Sequence, residues 1–329
     1  MTGFLARYVK NPELEVVKPG WPGNRLVGGR FAHQGFDPHL PVPAFLRWQV
    51  SANPQRKEKR TDPYRPPVIP NPDVFDLPEG HMAWLGHASF VFRLGGATIL
   101  TDPCVGSPPF VKRYAPPPCS LADVRNVDIL LASHNHWDHL DDKTVRRLPP
   151  ACRALVPLRM GSFIRRVNRD VTVEEAGWWQ RYSVDDGMEI VLCPAVHWSV
   201  RFGVDVKQSL WGSYLVRAGG RTVYFGGDTA YGSHFAEIAD LFPGIDLAIL
   251  PVGAYKPDYL MSGHHMSPRE AVRAAADLRA GVLVPMHYGT FDLSDEPVGE
   301  PVRVLRGLEE ARSIGRELRM PAIGEIVEI

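Results

Sequence analysis

The sequence lacks an excess of charge of either sign, because 37 lysine and arginine residues balance 37 aspartate and glutamate residues over 329 positions. A protein without net charge has no long-range attraction for nucleic acid, so we expect no nucleic-acid partner. Cysteine is also scarce, and none of the four cysteines forms a CxxC pair. This usage is typical of reduced, buried thiols and argues against a disulfide framework.

Long apolar runs are absent as well. No segment reaches the roughly 20 apolar residues that a membrane-spanning helix requires, and the first ten residues contain no signal-peptide core. The sequence therefore predicts a cytoplasmic protein. Peripheral contact with the inner face of the membrane is compatible with this prediction.

Sustained periodicity is missing from residues 1–80, where proline recurs often enough to break any long element. We predict that these residues form an extended arm packed on a main hydrolase domain of residues 81–329. The alternative is a disordered tail. Docking is favoured because disordered segments contain few aromatic residues, and this one contains Phe31, Phe36, Phe45 and Trp48.

The strongest signal is the histidine-rich run of residues 133–139, with the sequence SHNHWDH. An apolar run, 127–132, precedes it and predicts a strand, and a helix-like stretch, 141–148, follows it. In an extended turn His134 and His136 point the same way, because side chains alternate with a period of two. The next two candidate ligands, Asp138 and His139, fall at the start of the helix and face a second point.

Three later residues follow predicted strands: His197, Asp228 and His287. Imidazole nitrogens and carboxylate oxygens are ligands of Zn²⁺, and Mn²⁺ or Fe also accepts them. We predict two divalent ions, with Zn²⁺ favoured. His134, His136 and His197 would hold one ion, Asp138, His139 and His287 the other, and Asp228 would bridge them.

The turn Thr101-Asp102-Pro103, the HxHxDH run and the order of the later ligands resemble the metallo-β-lactamase superfamily. The resemblance covers roughly residues 82–329. It implies an α/β (α+β) fold, a four-layer αββα sandwich, with the metals at one edge of the two sheets. Strands dominate the early half of the predicted domain and mix with helices later, which agrees with sheets packed face to face.

A closer resemblance is to the N-acylphosphatidylethanolamine-hydrolysing phospholipase D group and its bacterial relatives. Its motifs here are Trp84-Leu85-Gly86-His87-Ala88, Ser133-His134-Asn135-His136, Leu210-Trp211-Gly212-Ser213, Gly227-Asp228-Thr229, Gly253-Ala254-Tyr255 and His287-Tyr288-Gly289-Thr290-Phe291. The resemblance implies a phosphodiesterase acting on such lipids by attack of a metal-bridging hydroxide, and a homodimer. It also implies that His265 assists catalysis, as the acid for the leaving alkoxide.

Other residues receive supporting roles. Asp138 would orient the nucleophile's proton, His87 would hold a metal ligand, and Asp102 would tie the turn beneath the site. His264 and Tyr288 differ from the glutamine and tryptophan usual in the lipase and are predicted to contact substrate. Tyr255, Leu260 and Met261 are predicted to line the substrate pocket.

Three alternatives remain at this stage. A lactonase, for sugar-phosphate or acyl lactones, would use the same metals to attack a carbonyl group. A nuclease would require an inserted domain or flexible arm, which the sequence does not indicate, and neutral charge argues against it. A metal-binding scaffold without turnover is disfavoured, because the predicted ligand sets leave open positions that are typical of catalytic sites.

Overall fold

The computed structural model describes residues 6–33, 42–109, 111–185 and 187–329. The strands are β1 (Arg7–Val9), β2 (Asn24–Val27), β3 (Arg30–Phe31), β4 (His81–Gly86), β5 (Ser89–Leu94), β6 (Ala97–Thr101), β7 (Ile129–Leu131), β8 (Arg153–Pro157), β9 (Thr172–Ala176), β10 (Gln180–Arg181), β11 (Met188–Cys193), β12 (Ser213–Ala218), β13 (Arg221–Phe225), β14 (Leu247–Pro251), β15 (Val282–Met286), β16 (Glu317–Leu318) and β17 (Ile326–Glu328). The helices are α1 (Val42–Val50), α2 (Arg56–Thr61), α3 (Asp142–Val145), α4 (Gly161–Val167), α5 (His234–Leu241), α6 (Asp258–Met261), α7 (Pro268–Asp277) and α8 (Glu300–Glu310), with one 3₁₀ turn at Leu121–Asp123.

Two seven-stranded sheets form the centre of the molecule, in the orders β17-β4-β5-β6-β7-β8-β9 and β10-β11-β12-β13-β14-β15-β16. Their inner faces share one core, to which Phe92 and Leu131 contribute from one sheet and Tyr214 and Val216 from the other. Helices α3 and α4 cover the outer face of the first sheet. Helix α7 covers the second sheet and packs against α5 and α8. The predicted four-layer αββα fold is confirmed.

The parallel strands position the site. Strands β6, β7 and β8 run parallel in the first sheet, and β13, β14 and β15 do so in the second. Fully buried strands such as β7 and β14 are continuous apolar runs, as expected where both faces are covered. The segments that follow β6, β7, β13 and β15 carry Asp102, the histidine-rich turn, Asp228 and His287. Ligands commonly bind at the carboxyl ends of parallel strands.

Two elements that the sequence predicts are corrected by the structure. The alternating pattern over residues 82–92 predicts one strand, but these residues belong to the hairpin β4–β5, because Gly86 (φ 104°) and His87 (φ 54°) reverse the chain between the two strands. The sequence predicts a helix over residues 301–318, but α8 ends at Glu310, since Arg312 and Gly315 adopt positive φ before β16. The sequence 267–270 predicts a capping box with proline at the first helical position, and this predicted start of α7 is confirmed by the capping box of Ser267 and Glu270.

Residues before β4 contact the sandwich at several points. Glu15 and Val17 exchange backbone hydrogen bonds with the segment 179–181, and the Phe31 N–H donates to the Lys207 carbonyl at 2.7 Å. This part of the chain contains the sheet β1–β3 and helices α1 and α2, the last within a stretch for which no helix was predicted. Phe36 lies outside the described residues, and the domain boundary near residue 80 stays a prediction.

Among the helices that the structure describes, none is long and apolar enough to cross a membrane.

Candidate metal centre

Asp228 lies at the middle of a group of buried imidazoles. Its Oδ2 atom is 3.1 Å from His139 Nε2, 3.2 Å from His287 Nε2, 3.6 Å from His197 Nε2 and 3.9 Å from His134 Nε2. These side chains come from three parts of the sequence as well as from the histidine-rich turn. One carboxylate therefore reaches ligands from both predicted metal sites, which is the geometry that a bridging ligand requires.

The first cluster consists of His134, His136, His197 and Asp228, whose ligand atoms all lie within 4.8 Å of one another. The His136 Nδ1 atom is 2.8 Å from His134 Nε2 and 3.4 Å from His197 Nε2. Three ring nitrogens thus face a common point.

The second cluster consists of His87, Asp138, His139 and His287, within the same limit. Asp138 Oδ2 lies 3.6 Å from His139 Nε2 and 3.7 Å from His287 Nε2. It also lies 2.9 Å from His87 Nε2, so His87 contacts the predicted ligand Asp138 from the turn of the β4–β5 hairpin.

The donor atoms fit divalent metal ions. His139 Nε2, His287 Nε2 and Asp228 Oδ1 are buried and have no hydrogen-bond partner among the described residues. Buried polar atoms without partners are costly, so such a group in a native site requires an explanation. Imidazole nitrogens and carboxylate oxygens converging in this way match the ligand set of Zn²⁺ and related ions.

A chain of hydrogen bonds orients two of the histidines. The buried Asp102 Oδ2 atom lies 2.6 Å from His139 Nδ1 and accepts a bond from the Ser133 hydroxyl at 2.7 Å. Ser133 Oγ in turn lies 2.9 Å from His134 Nδ1. With Nδ1 donating in both rings, the Nε2 lone pairs of His134 and His139 point towards the clusters. The carbonyl of His264 holds His197 in the same way, 3.0 Å from its Nδ1.

Burial keeps His87 and His136 neutral, whereas the nearby carboxylates favour positive charge at His139. Burial lowers the pKa of His87 to about 3 and that of His136 to about 4. Burial also opposes charge on His139, but Asp228, Asp138 and Asp102 outweigh it and hold its pKa well above the usual value. The carboxylates that attract this proton would attract a metal cation equally, so protons and metal compete for the same nitrogens.

A cavity of about 770 Å³ opens beside the first cluster. His136, His197, His264 and His265 lie at its inner end, and His265 Nδ1 is 3.8 Å from Asp228 Oδ2. Apolar side chains form most of its wall. They are Val27, Phe31, Ala32, Phe45, Trp48, Trp198, Val200, Val206, Leu260, Met261 and Leu293.

Two predicted substrate residues lie elsewhere. Tyr255 is buried and its hydroxyl donates to Glu300 Oε1. Tyr288 is buried and stacks on Trp84, with ring centroids 5.0 Å apart. Neither lines the large cavity, whereas His264, Leu260 and Met261 do.

The sequence interpretation missed residues that act through the ligands. Thr229 accepts the Val196 N–H at 2.9 Å and so joins the segments of Asp228 and His197. Arg201 is buried beneath the histidine-rich turn and donates to the carbonyls of Asn135 and Leu140 at 3.1 and 2.8 Å. The position of Thr229 next to Asp228 was a usable signal, but no local pattern marks Arg201.

Comparison with known proteins places this geometry in context. A family model described as a beta-lactamase superfamily domain matches residues 97–288. An uncharacterised protein of Mycobacterium tuberculosis is 36% identical over 292 residues, which cover 83% of this chain and 75% of the relative. The N-acyl-phosphatidylethanolamine-hydrolyzing phospholipase D 1 of Caenorhabditis elegans is 34% identical over 259 residues, covering 73% of each chain.

Solved structures share the fold at low identity. The isothiocyanate hydrolase from Delia radicum gut bacteria superposes with a TM-score of 0.62 at 17% identity, covering 76% of this chain and 98% of that one. A metallo hydrolase from the archaeon Ignicoccus hospitalis superposes with a TM-score of 0.58 at 23% identity, covering 76% and 97%.

Proposed function

The chain belongs to the metallo-β-lactamase superfamily and is a metal-dependent hydrolase, and from this premise we propose a phosphodiesterase that cleaves N-acylphosphatidylethanolamine-like lipids. The observation that carries the proposal is the apolar cavity of about 770 Å³ ending at the candidate metal ligands. Its volume lies in the range of small-molecule sites, which are mostly apolar with a few polar groups. The phospholipase D relatives at 34% identity support the same substrate class.

Two divalent ions held by the two clusters would supply an activated water and neutralise charge on the phosphoryl oxygens. Zn²⁺ suits these ligands, with Mn²⁺ or Fe as alternatives. The chain's own groups would then set the geometry of the reaction. Asp138, fixed by His87, would orient the proton of the attacking water.

His265 would interact with the leaving alkoxide from the inner end of the cavity. Burial lowers its pKa to about 3, so it meets substrate as a neutral imidazole. Its proton donation to the alkoxide stays a prediction, and it would require a proton acquired during the reaction. His264 lies beside it in the cavity wall and would contact the same part of the substrate.

The cavity wall would hold acyl chains and exclude water. Leu260, Met261 and Trp198 line it near the histidines, and Phe45 and Trp48 line it from α1. Exposed apolar side chains lie on two of the same segments, namely Leu46 and Val50 on α1 and Val204 in the loop between β11 and β12, to which the wall residues Val200 and Val206 belong. This arrangement supports peripheral contact with a membrane, from which the lipid would enter.

The test compares the metal-loaded protein on a detergent-dispersed N-acylphosphatidylethanolamine and on acyl and sugar-phosphate lactones. Met261→Glu places a charge in the apolar wall, whereas Tyr259→Glu places it on the exposed face of the same helix. We expect Met261→Glu to lower kcat/KM for the lipid about tenfold or more, since burying a charge is costly, with metal content unchanged. Tyr259→Glu should remain near wild type.

Turnover of lactones with no turnover of the phosphodiester would refute the proposal in favour of a lactonase. Asp228→Ala provides the control for the metal centre, and we expect it to lose metal and activity together. Full metal content and full rate in that variant would show that the clusters are not the active site.

A further inference from the structure

Residues 143–169 carry positive charge only. This run contains eight lysine and arginine residues and no aspartate or glutamate, although the whole chain is neutral. It extends from the second residue of α3 through β8 to the residues just after α4, and so includes most of the helix layer over the outer face of the first sheet. A local field of one sign attracts partners of the opposite sign even where the net charge is zero.

Six arginines of this run are exposed, and we call them the basic face. They are Arg146, Arg147, Arg159, Arg165, Arg166 and Arg169. Within the described ranges, only Arg146 of these six forms an ion pair, with Asp142 at 3.8 Å. The carboxylates on or beside this layer are Asp142, Asp170, Glu175 and Asp205. Since Asp142 also pairs with the buried Arg201, the surface keeps a positive charge.

Hydrogen bonds between α3 and α4 make the basic face one continuous surface. Asn168 Nδ2 donates to the carbonyls of Val145 and Leu148 at 3.0 and 3.1 Å, which joins the end of α4 to the end of α3. The two arginines that follow Val145 therefore lie near Arg169. Charges that are held close together on one surface act together on a partner.

The basic face continues to the wall of the 770 Å³ cavity. The Arg166 Cζ atom lies 5.6 Å from the ring centroid of Phe202, in the loop between β11 and β12, and other residues of this loop line the cavity. The Arg159 Cζ atom lies 5.3 Å from the ring centroid of Phe31, which also lines the cavity. The arginines and the proposed lipid cavity therefore adjoin each other.

Two apolar side chains project from the loop beside these arginines. Phe202 is 54% exposed and Val204 is 77% exposed. Apolar side chains next to a cationic surface match the two layers of a bilayer, since the former enter the acyl boundary and the latter contacts anionic head groups.

We propose that the basic face, together with Phe202 and Val204, docks the protein on the surface of an anionic lipid bilayer. The arginines interact with the head groups, and the two apolar side chains enter the boundary with the acyl chains. The docked orientation rests on the proposed function in one respect, because it brings the cavity next to the bilayer that contains the lipid substrate. Nucleic acid would also be attracted by the arginines, but it does not account for the exposed apolar loop beside them.

Cosedimentation of the metal-loaded protein with lipid vesicles tests the proposal. One kind of vesicle consists of phosphatidylcholine, and the other is an equal mixture of phosphatidylcholine and phosphatidylglycerol. We expect binding to the mixed vesicles and at least about tenfold weaker binding to phosphatidylcholine alone. Raising the salt from about 0.1 M to about 1 M shortens the Debye length from about 10 Å to about 3 Å and should release most of the bound protein.

Variants locate the docking surface. Arg166→Glu/Arg169→Glu should weaken binding to the mixed vesicles about 30-fold or more, since each basic side chain near an anionic surface contributes about fivefold. Val204→Ser should weaken it about tenfold through the lost apolar contact. The matched control is Arg221→Glu/Arg312→Glu, which changes the net charge by the same amount at two exposed arginines outside the helix layer of the first sheet. This control should bind like wild type.

Equal binding to both kinds of vesicle would overturn the proposal, as would equal effects of the two double variants or binding that salt does not weaken. An oligonucleotide that binds wild type more tightly than the mixed vesicles do, and binds Arg166→Glu/Arg169→Glu weakly, would overturn it in favour of a nucleic-acid partner.

Vesicle binding and hydrolysis are separate measurements, because neither kind of vesicle contains the proposed substrate. Hydrolysis of detergent-dispersed lipid should be unchanged in both double variants, since none of the four arginines lines the 770 Å³ cavity. Hydrolysis without docking would refute this inference alone. Docking without hydrolysis of the phosphodiester would support this inference and refute the proposed function.

Discussion

Replacing Asp102 by asparagine should weaken metal binding without removing any candidate ligand. The carboxylate accepts three bonds: from the Ser133 N–H at 2.6 Å, from the Ser133 hydroxyl at 2.7 Å, and from His139 Nδ1 at 2.6 Å. An asparagine amide has one acceptor oxygen and one donor NH₂ group. In either orientation, the NH₂ group therefore takes the place of a carboxylate oxygen that accepts a hydrogen bond, and it faces a group that is itself a donor.

Either orientation of the amide is unfavourable. With the NH₂ group towards the Ser133 N–H, two donors oppose each other in a fully buried site. With the NH₂ group towards His139, the ring must present its Nδ1 lone pair, and its proton then moves to Nε2, the atom 3.1 Å from Asp228. That proton occupies the position of a metal. Because Ser133 also orients His134, both clusters are affected.

Losing an outer partner of a metal ligand typically lowers affinity 10–100-fold, which corresponds to about 1.4–2.7 kcal/mol. Competition with a chromogenic chelator would measure the Kd of Zn²⁺ for wild type and Asp102→Asn. The control is Asp128→Asn, since Asp128 accepts the Thr98 N–H at the other end of β7 and contacts no candidate ligand. Equal Zn²⁺ affinity in wild type and Asp102→Asn, in folded protein, would refute the proposed orienting role.

Two further substitutions test contacts that stabilise the fold, one beside His287 and one at Asp62. Gly253→Ala places a Cβ 1.9 Å from the carbonyl oxygen of His287. We therefore expect a loss of roughly 3 kcal/mol in stability and reduced metal content. Gly263→Ala, whose Cβ would meet nothing within 4 Å, should change neither. Equal unfolding midpoints for the two variants would show that the close approach of Gly253 to His287 does not constrain the fold. Burial opposes charge on Asp62, but bonds from Arg303 and two backbone N–H groups lower its pKa. The charged Asp62 therefore stabilises the folded state by about 1–3 kcal/mol, and this stabilisation is present above about pH 4. It is lost as the pH falls through the pKa of Asp62 in the folded protein. The free energies of unfolding of wild type and Asp62→Ala, measured with denaturant, should differ at pH 7, and the difference should shrink as the pH falls below 4; a pH-independent difference would show that the charge is irrelevant.

The candidate ligands could be proposed from the sequence because four of them lie within one short run between a predicted strand and a predicted helix. A strand, a turn and a helix place His134, His136, Asp138 and His139 on one edge, and the strands before Asp228 and His287 run parallel in a sheet that brings their ends together. The structure brings all seven predicted ligands together. Their roles as ligands stay a prediction, which the metal titrations above address.

The substrate cavity could not be predicted in the same way, because its wall depends on distant parts of the chain. Phe31 and Trp48 precede the sandwich, and Leu260 and Leu293 follow most of it, yet all line one space. No periodicity encodes which segments meet there. Tyr255 and Tyr288, which were predicted to contact substrate, contact Glu300 and Trp84 and do not line this cavity, so their role in substrate binding stays a prediction.

The histidine-rich turn needs restraint because four candidate ligands occupy six consecutive residues of non-repetitive backbone. Ordering such residues costs about 1–2 kcal/mol each in backbone entropy alone. If the turn were flexible in the metal-free protein, this free energy would be subtracted from the free energy of metal binding. Asp102 restrains the turn through Ser133 and His139, and Arg201 restrains it through the carbonyls of Asn135 and Leu140. Because these contacts form within the folded protein and require no metal, the ligands are held in place beforehand.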